Sequence, residues 1–258
     1  VYDSRSQLIR FNGRLPDGGA ERWSYYGDFW RDDGVGVPTS ANAATAFDEA
    51  HGVWLHSGLI GRPEDFRFLV AIEDGGLRTV QTQNSAPSIR YATGTTWDPV
   101  RRALVTQGGT TTSLQTPADQ WAFNGTTWAQ DLAVTSLPNL FRHTLTWSEA
   151  GTVIFGGIVD GGTLNGQTWV GGLGGGFYRL VSDAGPTPRS DHSAISTDGT
   201  NVLVLGGVNN DGLLWSFNGT QWVSTDGGTV ARRQRMALVQ EPTTSTLMAI
   251  GGSATASS

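Results

Sequence analysis

Short apolar runs closed by glycine recur along the chain at a nearly fixed spacing. Six of them are "LIRFNG" to Gly13, "VWLHSG" to Gly58, "ALVTQGG" to Gly109, "TVIFGG" to Gly157, "VLVLGG" to Gly207 and "LMAIGG" to Gly252. Successive glycines are 45, 51, 48, 50 and 45 residues apart. Runs of this length, rich in β-branched residues and bounded by turn residues, predict strands. Ahead of the last five lies a second run, "ATAFDEA", "TTWDPV", "HTLTWSEAG", "HSAISTDG" or "RMALVQEP", joined to its partner by a turn. The alanines of "ANAATAFDEA" favour a helix, but its register against the equivalent runs predicts a strand.

A third pattern follows the glycine-closed runs. "RWSYYGDFW" starts at Arg22, "QWAFNGTTW" at Gln120 and "LWSFNGTQW" at Leu214. An Asn-Gly pair between alternating aromatic runs predicts a β-hairpin with a two-residue turn, because both residues tolerate positive φ. Two units are degenerate. "FRFLVAIEDGGLRTVQ" keeps the hairpin with Gly75-Gly76 as its turn, and "TWVGGLGGGFYRL" opens the turn into a glycine cluster. Each unit therefore holds an inner strand, a Gly-Gly strand, a Trp strand and an outer strand, all antiparallel. Four strands per unit at a period near 50 describe a propeller blade.

The pattern resembles the kelch repeat in its bacterial form: Tyr-Asp, a turn, an apolar run ending Phe-Gly-Gly, then Trp, an aromatic, Gly and Trp. "VYDSRSQLIRFNG" with "RWSYYGDFW" carries the resemblance, as does "RSDHSAISTDGTNVLVLGGVNNDGLLWSFNGTQW". It extends over nearly the whole chain and implies an all-β, kelch-like β-propeller of four-stranded antiparallel blades, one domain over residues 1–258. Six Gly-Gly strands against five hairpins favour six blades, one of them short. Five blades is the alternative, with the C-terminal pair joining "RWSYYGDFW"; a fragment of a larger ring is another. The resemblance does not fix function, since such propellers include enzymes, lectin-like binders and protein-interaction modules.

Composition narrows the function classes. With 36 Gly and 16% charged residues in 258, the chain is turn-rich and folded rather than disordered. A net charge of −6 argues against nucleic acid, whose binders carry a basic face. No apolar run reaches membrane-spanning length, so no membrane insertion is expected. The absence of Cys excludes disulfides and the Cys-Tyr copper centre of the galactose-oxidase branch, and no metal or other cofactor is expected. All 17 basic residues are Arg, the signature of a high-GC bacterial genome. The chain starts at Val1 without a signal pattern, so an export signal has been removed or was never there. An extracellular, periplasmic or cell-surface location in a bacterium is the expectation.

Candidate chemistry comes from aligning the units. One row holds His143, His192 and Arg235; three residues earlier lie Arg90, Arg189 and Arg232, with Ser40 and Leu140 in the same row. Converging guanidiniums suit a small anion, which they bind by two-point hydrogen bonds. The competing reading has each Arg bracing adjacent blades. His143 and His192 are general acid–base candidates without a carboxylate at a diagnostic spacing. Nine of the ten Trp fall in repeated slots and read as blade packing, leaving Trp54 as the candidate exception. The leading expectation is a non-catalytic binding or interaction module, secreted or surface-exposed. It would recognise a protein or glycan through the loops after the Gly-Gly strands, "GRPEDF", "TTTSLQTPAD", "IVDGGTLNGQ" and "VNNDG". The alternative is an enzyme acting on a carbohydrate or acidic sugar at an Arg-lined centre, with Glu64, Asp65, Asp160 and Asp211 as available carboxylates.

Overall fold

A strand covered on both faces reads as an unbroken apolar run, and the Gly-Gly runs are such strands. The computed structural model describes residues 2–3, 6–14, 20–35, 44–48, 53–60, 67–74, 77–81, 86–111, 113–132, 137–181, 184–241 and 243–254. In it Ala103–Gln107 and Gly151–Phe155 are strands buried at every position.

Among the described residues there are five four-stranded antiparallel sheets and three two-stranded ones. Two of the small sheets are short pairs, Arg90–Tyr91 with Thr110–Thr111 and Leu140–Phe141 with Ile158–Val159, and the other six sheets follow the units. The first comprises Tyr2–Asp3, Leu8–Arg14, Ala20–Tyr25 and Trp30–Val35. The second comprises Ala44–Asp48, Val53–Ile60, Arg67–Asp74 and Leu77–Gln81. The third is Gly94–Asp98, Ala103–Gln107, Gln120–Phe123 and Trp128–Gln130. The fourth is Thr144–Ser148, Gly151–Phe155, Thr168–Gly171 and Tyr178–Val181. The fifth is Ser193–Ser196, Val202–Leu205, Leu213–Phe217 and Trp222–Asp226. The sixth pairs Arg233–Gln240 with Leu247–Ala254, after a 3₁₀ turn over Thr229–Arg232. The alanine-rich stretch is a strand where it is described, Ala44–Asp48.

The inner strands of the second to sixth sheets touch in chain order and line one channel. This is an all-β propeller of antiparallel blades. Alternation along each buried strand sends successive side chains to opposite neighbours. Leu104, with Phe123 and Trp128, packs on Ala46 and Leu55 of the second sheet. Val105 and Ala122 instead meet Leu145, Ile154 and Tyr178 of the fourth. Val153, Phe155 and Val170 meet Val202, Val204, Phe217 and Trp222 of the fifth. The outer-strand aromatic is the wedge. Trp222 lies 5.3 Å from Phe155 of the preceding sheet and donates from Nε1 to Thr168 Oγ1 at 3.0 Å. Tyr178 fills the same slot in the fourth sheet and donates to Gln120 Oε1 at 2.6 Å.

The hairpins form as predicted, with two residues in the turn, but one position past Asn-Gly. Beyond the pairs Phe123–Trp128 and Phe217–Trp222, Asn124 N donates to Thr127 O and Asn218 N to Gln221 O, so Gly125-Thr126 and Gly219-Thr220 make the turns. Asn124 Oδ1 accepts the N–H groups of Thr126 and Thr127, and Asn218 Oδ1 those of Thr220 and Gln221. That Asx arrangement orders the turn from the side chain. Only the glycines, Gly125 and Gly219, take positive φ. The predicted Gly75-Gly76 turn, Ser40, His51 and the loop 61–66 with Glu64 and Asp65 lie outside the described residues.

Candidate functional site at the channel rim

Arginine binds carbonyls and carboxylates through a planar fork, so a buried one must find several acceptors. Arg90 finds them inside its own blade. Its Nε donates to Ser88 O at 3.1 Å, Nη1 to Gly108 O at 3.2 Å, and Nη2 to Ser88 Oγ and Asp119 Oδ2. Arg189, fully buried, repeats the scheme with Thr187 O, Gly206 O and Thr187 Oγ1, and pairs with Asp211 at 2.7 Å. The same carboxylates accept the indole N–H of Trp121 and Trp215. Burial alone would raise the pKa of Asp119 and Asp211. Hydrogen bonds and charge from Arg90 and Arg189, with the indole bonds, outweigh it and hold both below the usual carboxylate range. Where the fourth unit has Leu140 in place of the Arg, Asn165 Nδ2 takes over the bond to the first glycine's carbonyl, Gly156 O.

The third member of this row is Arg233, not Arg232. The second glycine of each pair donates to the carbonyl of the row residue in the next blade: Gly109 to Leu140, Gly157 to Arg189, Gly207 to Arg233. Arg233 also donates to Gly251 O, the first-glycine carbonyl that its counterparts bond in their units, and in addition to Gly252 O. Arg232 ends the 3₁₀ turn and is exposed. Counting back from the inner strands misses this because the sixth sheet pairs one residue off the register that "RMALVQEP" suggests: Ala237, not Met236, stands opposite Ile250 as Thr144 does opposite Phe155. Arg90 and Arg189 therefore do not open onto the axis; each is occupied within its own blade.

The same shift moves Arg235 out of the histidine row, where Met236 stands instead. Gly108 faces His143 Cε1, Gly156 faces His192 Cε1 and Gly206 faces Met236 Cε. His143 and His192 are buried, and burial holds both imidazoles near pKa 3, with the Arg189 and His143 charges adding to the effect at His192. His192 Nε2 lies 2.9 Å from Thr144 Oγ1. Neither ring nitrogen of His143 has a hydrogen-bond partner among the described residues. A neutral imidazole at so low a pKa is a packing group rather than a proton carrier at neutral pH.

One step before that row lie Ala92, Arg142, Asp191 and Arg235, and these form the rim. Each has left-handed backbone, with φ of 58, 56, 53 and 56°. They are linked from blade to blade by backbone bonds: Arg142 N to Ala92 O at 2.9 Å, Asp191 N to Arg142 O at 3.2 Å, and Arg235 N to Asp191 O at 2.9 Å. On this ring Asp191 receives Arg142 Nη1 at 3.3 Å, Arg235 Nε at 3.1 Å and Ser190 Oγ at 3.1 Å. Sequence alignment placed Arg235 one row away and passed over Arg142 and Asp191. Their one legible signal is position, directly before His143 and His192.

Below the rim the channel encloses about 530 Å³. Trp97, Trp147 and Phe47 line it, together with hydroxyl side chains including Thr45, Thr96, Thr146 and Ser196. Trp97 and Trp147 thus border the axis rather than serving blade packing alone, and Trp147 Nε1 has no partner among the described residues. Trp54 pairs in backbone register with Phe47 and Glu73; its side chain, like that of His56, lies outside the described residues. Among the described residues no group of three or more His, Cys, Asp or Glu is placed to hold a metal ion. No helix among them is long and apolar enough to cross a membrane.

No family model matches the chain. A rice protein, "Adagio-like protein 3" of Oryza sativa subsp. japonica, is 30% identical over 132 residues, covering 45% of this chain and 20% of that protein. The likeness thus spans about a fifth of the relative's length. Together with the propeller architecture, it fits a kelch-type propeller.

Proposed function

We propose that the chain is a non-catalytic interaction module that holds a protein partner on the face where the Gly-Gly loops and the channel rim meet. One observation carries this reading: the loops on this face are tied down by side-chain bonds within their units and, between the third and fourth sheets, across the blade boundary. Asp160, after the fourth sheet's Gly-Gly strand, accepts from Thr116 of the third sheet's loop and from Asn139 Nδ2 at 2.6 Å. Within the fifth unit, Thr187 donates to Asn209 O, and Asn209 Nδ2 to Pro188 O, both at 2.8 Å. A surface ordered before binding loses less entropy on association. Exposed Leu114 and Val208 supply apolar contact area there. The module is a six-bladed ring acting outside a bacterial cell; cell fractionation and a structure of the closed ring test those two parts. Binding is tested with partner captured by the parent chain and measured against purified variants. Leu114→Asp and Val208→Asp should abolish it, whereas Val100→Asp and Thr126→Asp, on the hairpin-turn face, should leave it unchanged. Equal loss from both faces would refute the assignment.

The channel supports a second reading, binding of a neutral glycan. Indole faces beside hydroxyl groups suit a sugar's apolar and polar sides, and Trp97 and Trp147 stand beside Thr45, Thr96, Thr146 and Ser196. Quenching or blue shift of tryptophan fluorescence on titration with neutral oligosaccharides, lost in Trp147→Ala, would support it. An unchanged spectrum at millimolar sugar would remove it.

A further inference from the structure

We propose that Arg142 and Arg235, held on either side of Asp191 at the channel rim, form a docking site for a carboxylate carried by an acidic segment of the partner protein. This rests on the interaction-module reading and names the chemistry of what binds.

Charge at the rim is unbalanced. Asp191 has a side-chain exposure of 4%, against 33% for Arg142 and 54% for Arg235. One buried carboxylate therefore faces two guanidiniums, leaving one positive charge at the surface of a chain whose net charge is −6. Asp191 accepts three bonds: Oδ2 takes Arg142 Nη1 and Ser190 Oγ, and Oδ1 takes Arg235 Nε. The arginines are not filled. Arg235 presents both terminal nitrogens, and Arg142 presents Nε and Nη2, with no acceptor among the described residues. These are the N–H groups that a carboxylate accepts in a two-point contact.

Backbone geometry sets the site apart from a chance surface pair. Left-handed φ at a non-glycine residue is strained, and the rim bears it at Ala92, Arg142, Asp191 and Arg235. Glycine would make the same blade-to-blade bonds without that strain, so the bond ring itself does not call for arginine. These three bonds do fix four consecutive blades against one another, which preorganises the two guanidiniums around Asp191. The contrast with Arg90 and Arg189 sharpens the point. Those guanidiniums are buried and filled by carbonyls and a carboxylate of their own blade. Arg142 and Arg235 stand at the ends of inner strands that line the channel, open to solvent. The flanking His143 and His192 are neutral at physiological pH and do not compete for the anion.

Fluorescence polarisation on the full chain tests this with three labelled peptides of equal length. They are a Glu-rich peptide amidated at its C-terminus, its Gln counterpart, also amidated, and a Gly-Ser peptide with a free C-terminus. The Glu-rich peptide should bind and weaken as salt rises, while the Gln counterpart should not bind. Binding of the Gly-Ser peptide would place the carboxylate at a chain terminus instead of a side chain. Arg142→Gln and Arg235→Gln should each weaken binding about tenfold, the loss of roughly one charge-assisted bond. Arg235→Lys should weaken it although charge is kept. Asp191→Asn should strengthen it, a change that a merely structural role would not produce; melting curves verify that each variant is folded. Binding of neither carboxylate peptide, or equal binding by parent and the arginine variants, would overturn the site. Should partner capture then still be lost in Leu114→Asp and kept in Arg142→Gln and Arg235→Gln, the interaction reading stands and the carboxylate site alone falls.

Discussion

Lowering the pH from 7.5 to 5 should destabilise the protein by about 4 kcal/mol through two side chains, His143 and His192. Both imidazoles are buried and held near pKa 3, against about 6.5 in an unfolded chain. Between those values the unfolded state binds more protons than the folded one, so stability rises with pH across that window. It is fully present above about pH 6.5 and is lost as the pH falls below it. Each pH unit below 6.5 costs about 1.4 kcal/mol per imidazole, or about 2 kcal/mol each at pH 5. That is a large fraction of the roughly 5–15 kcal/mol that holds a domain folded. The carboxylates Asp119 and Asp211, held low by their arginines, contribute only below the ordinary carboxylate range, so pH 5 to 6.5 isolates the histidines. Urea unfolding followed by tryptophan fluorescence at closely spaced pH values gives the slope. His143→Met and His192→Met are the informative variants, because Met236 already fills the same slot beside Gly206. Each should remove about half the slope, and the pair should flatten it. Parallel pH profiles for the parent and the double variant would refute the reasoning.

Arg189→Ala should cost about 3–5 kcal/mol, because it leaves the partly buried carboxylate of Asp211 without its partner; the denaturation midpoint measures it, and a loss under 1 kcal/mol would contradict the brace. Gly94→Ala should destabilise by about 1–3 kcal/mol, since a Cβ there would sit 2.5 Å from His143 Nε2 and 2.8 Å from Leu145 Cβ. His143→Ala in the same background should recover part of that loss, which a thermal melt of the double variant checks. Trp222→Ala should cost about 3–5 kcal/mol as the wedge between the fourth and fifth sheets is removed; an unchanged melting temperature would mean that the wedge carries no packing energy.

The candidate site was legible in residue type more than in place. That arginines mattered at the start of the inner strands could be read from Arg90 and Arg189 in one row. Which arginines face solvent could not. Asp119 and Asp211 lie 29 and 22 residues downstream of those arginines, on loops whose return to the row depends on blade folding. The register of the sixth sheet was also hidden, because it is set by pairing with the Gly-Gly strand, where Ala237 meets Ile250; this exchanges Arg232 for Arg233 and Arg235 for Met236.

Local information sufficed for the strands, the hairpins, the blade period and the all-β class. Each depends on alternation and glycine within a few dozen residues, where backbone sterics and side-chain burial act directly. The place of the turn, one residue past Asn-Gly, goes with the side chain of Asn124 reaching Thr126 and Thr127, a local bond that residue type alone does not specify. The rim is a different matter. Arg142, Asp191 and Arg235 are 49 and 44 residues apart in sequence, and their charges meet only because consecutive blades turn about one axis. Sequence placed the arginines; packing of one blade on the next determined which of them are filled from within and which remain open to a ligand.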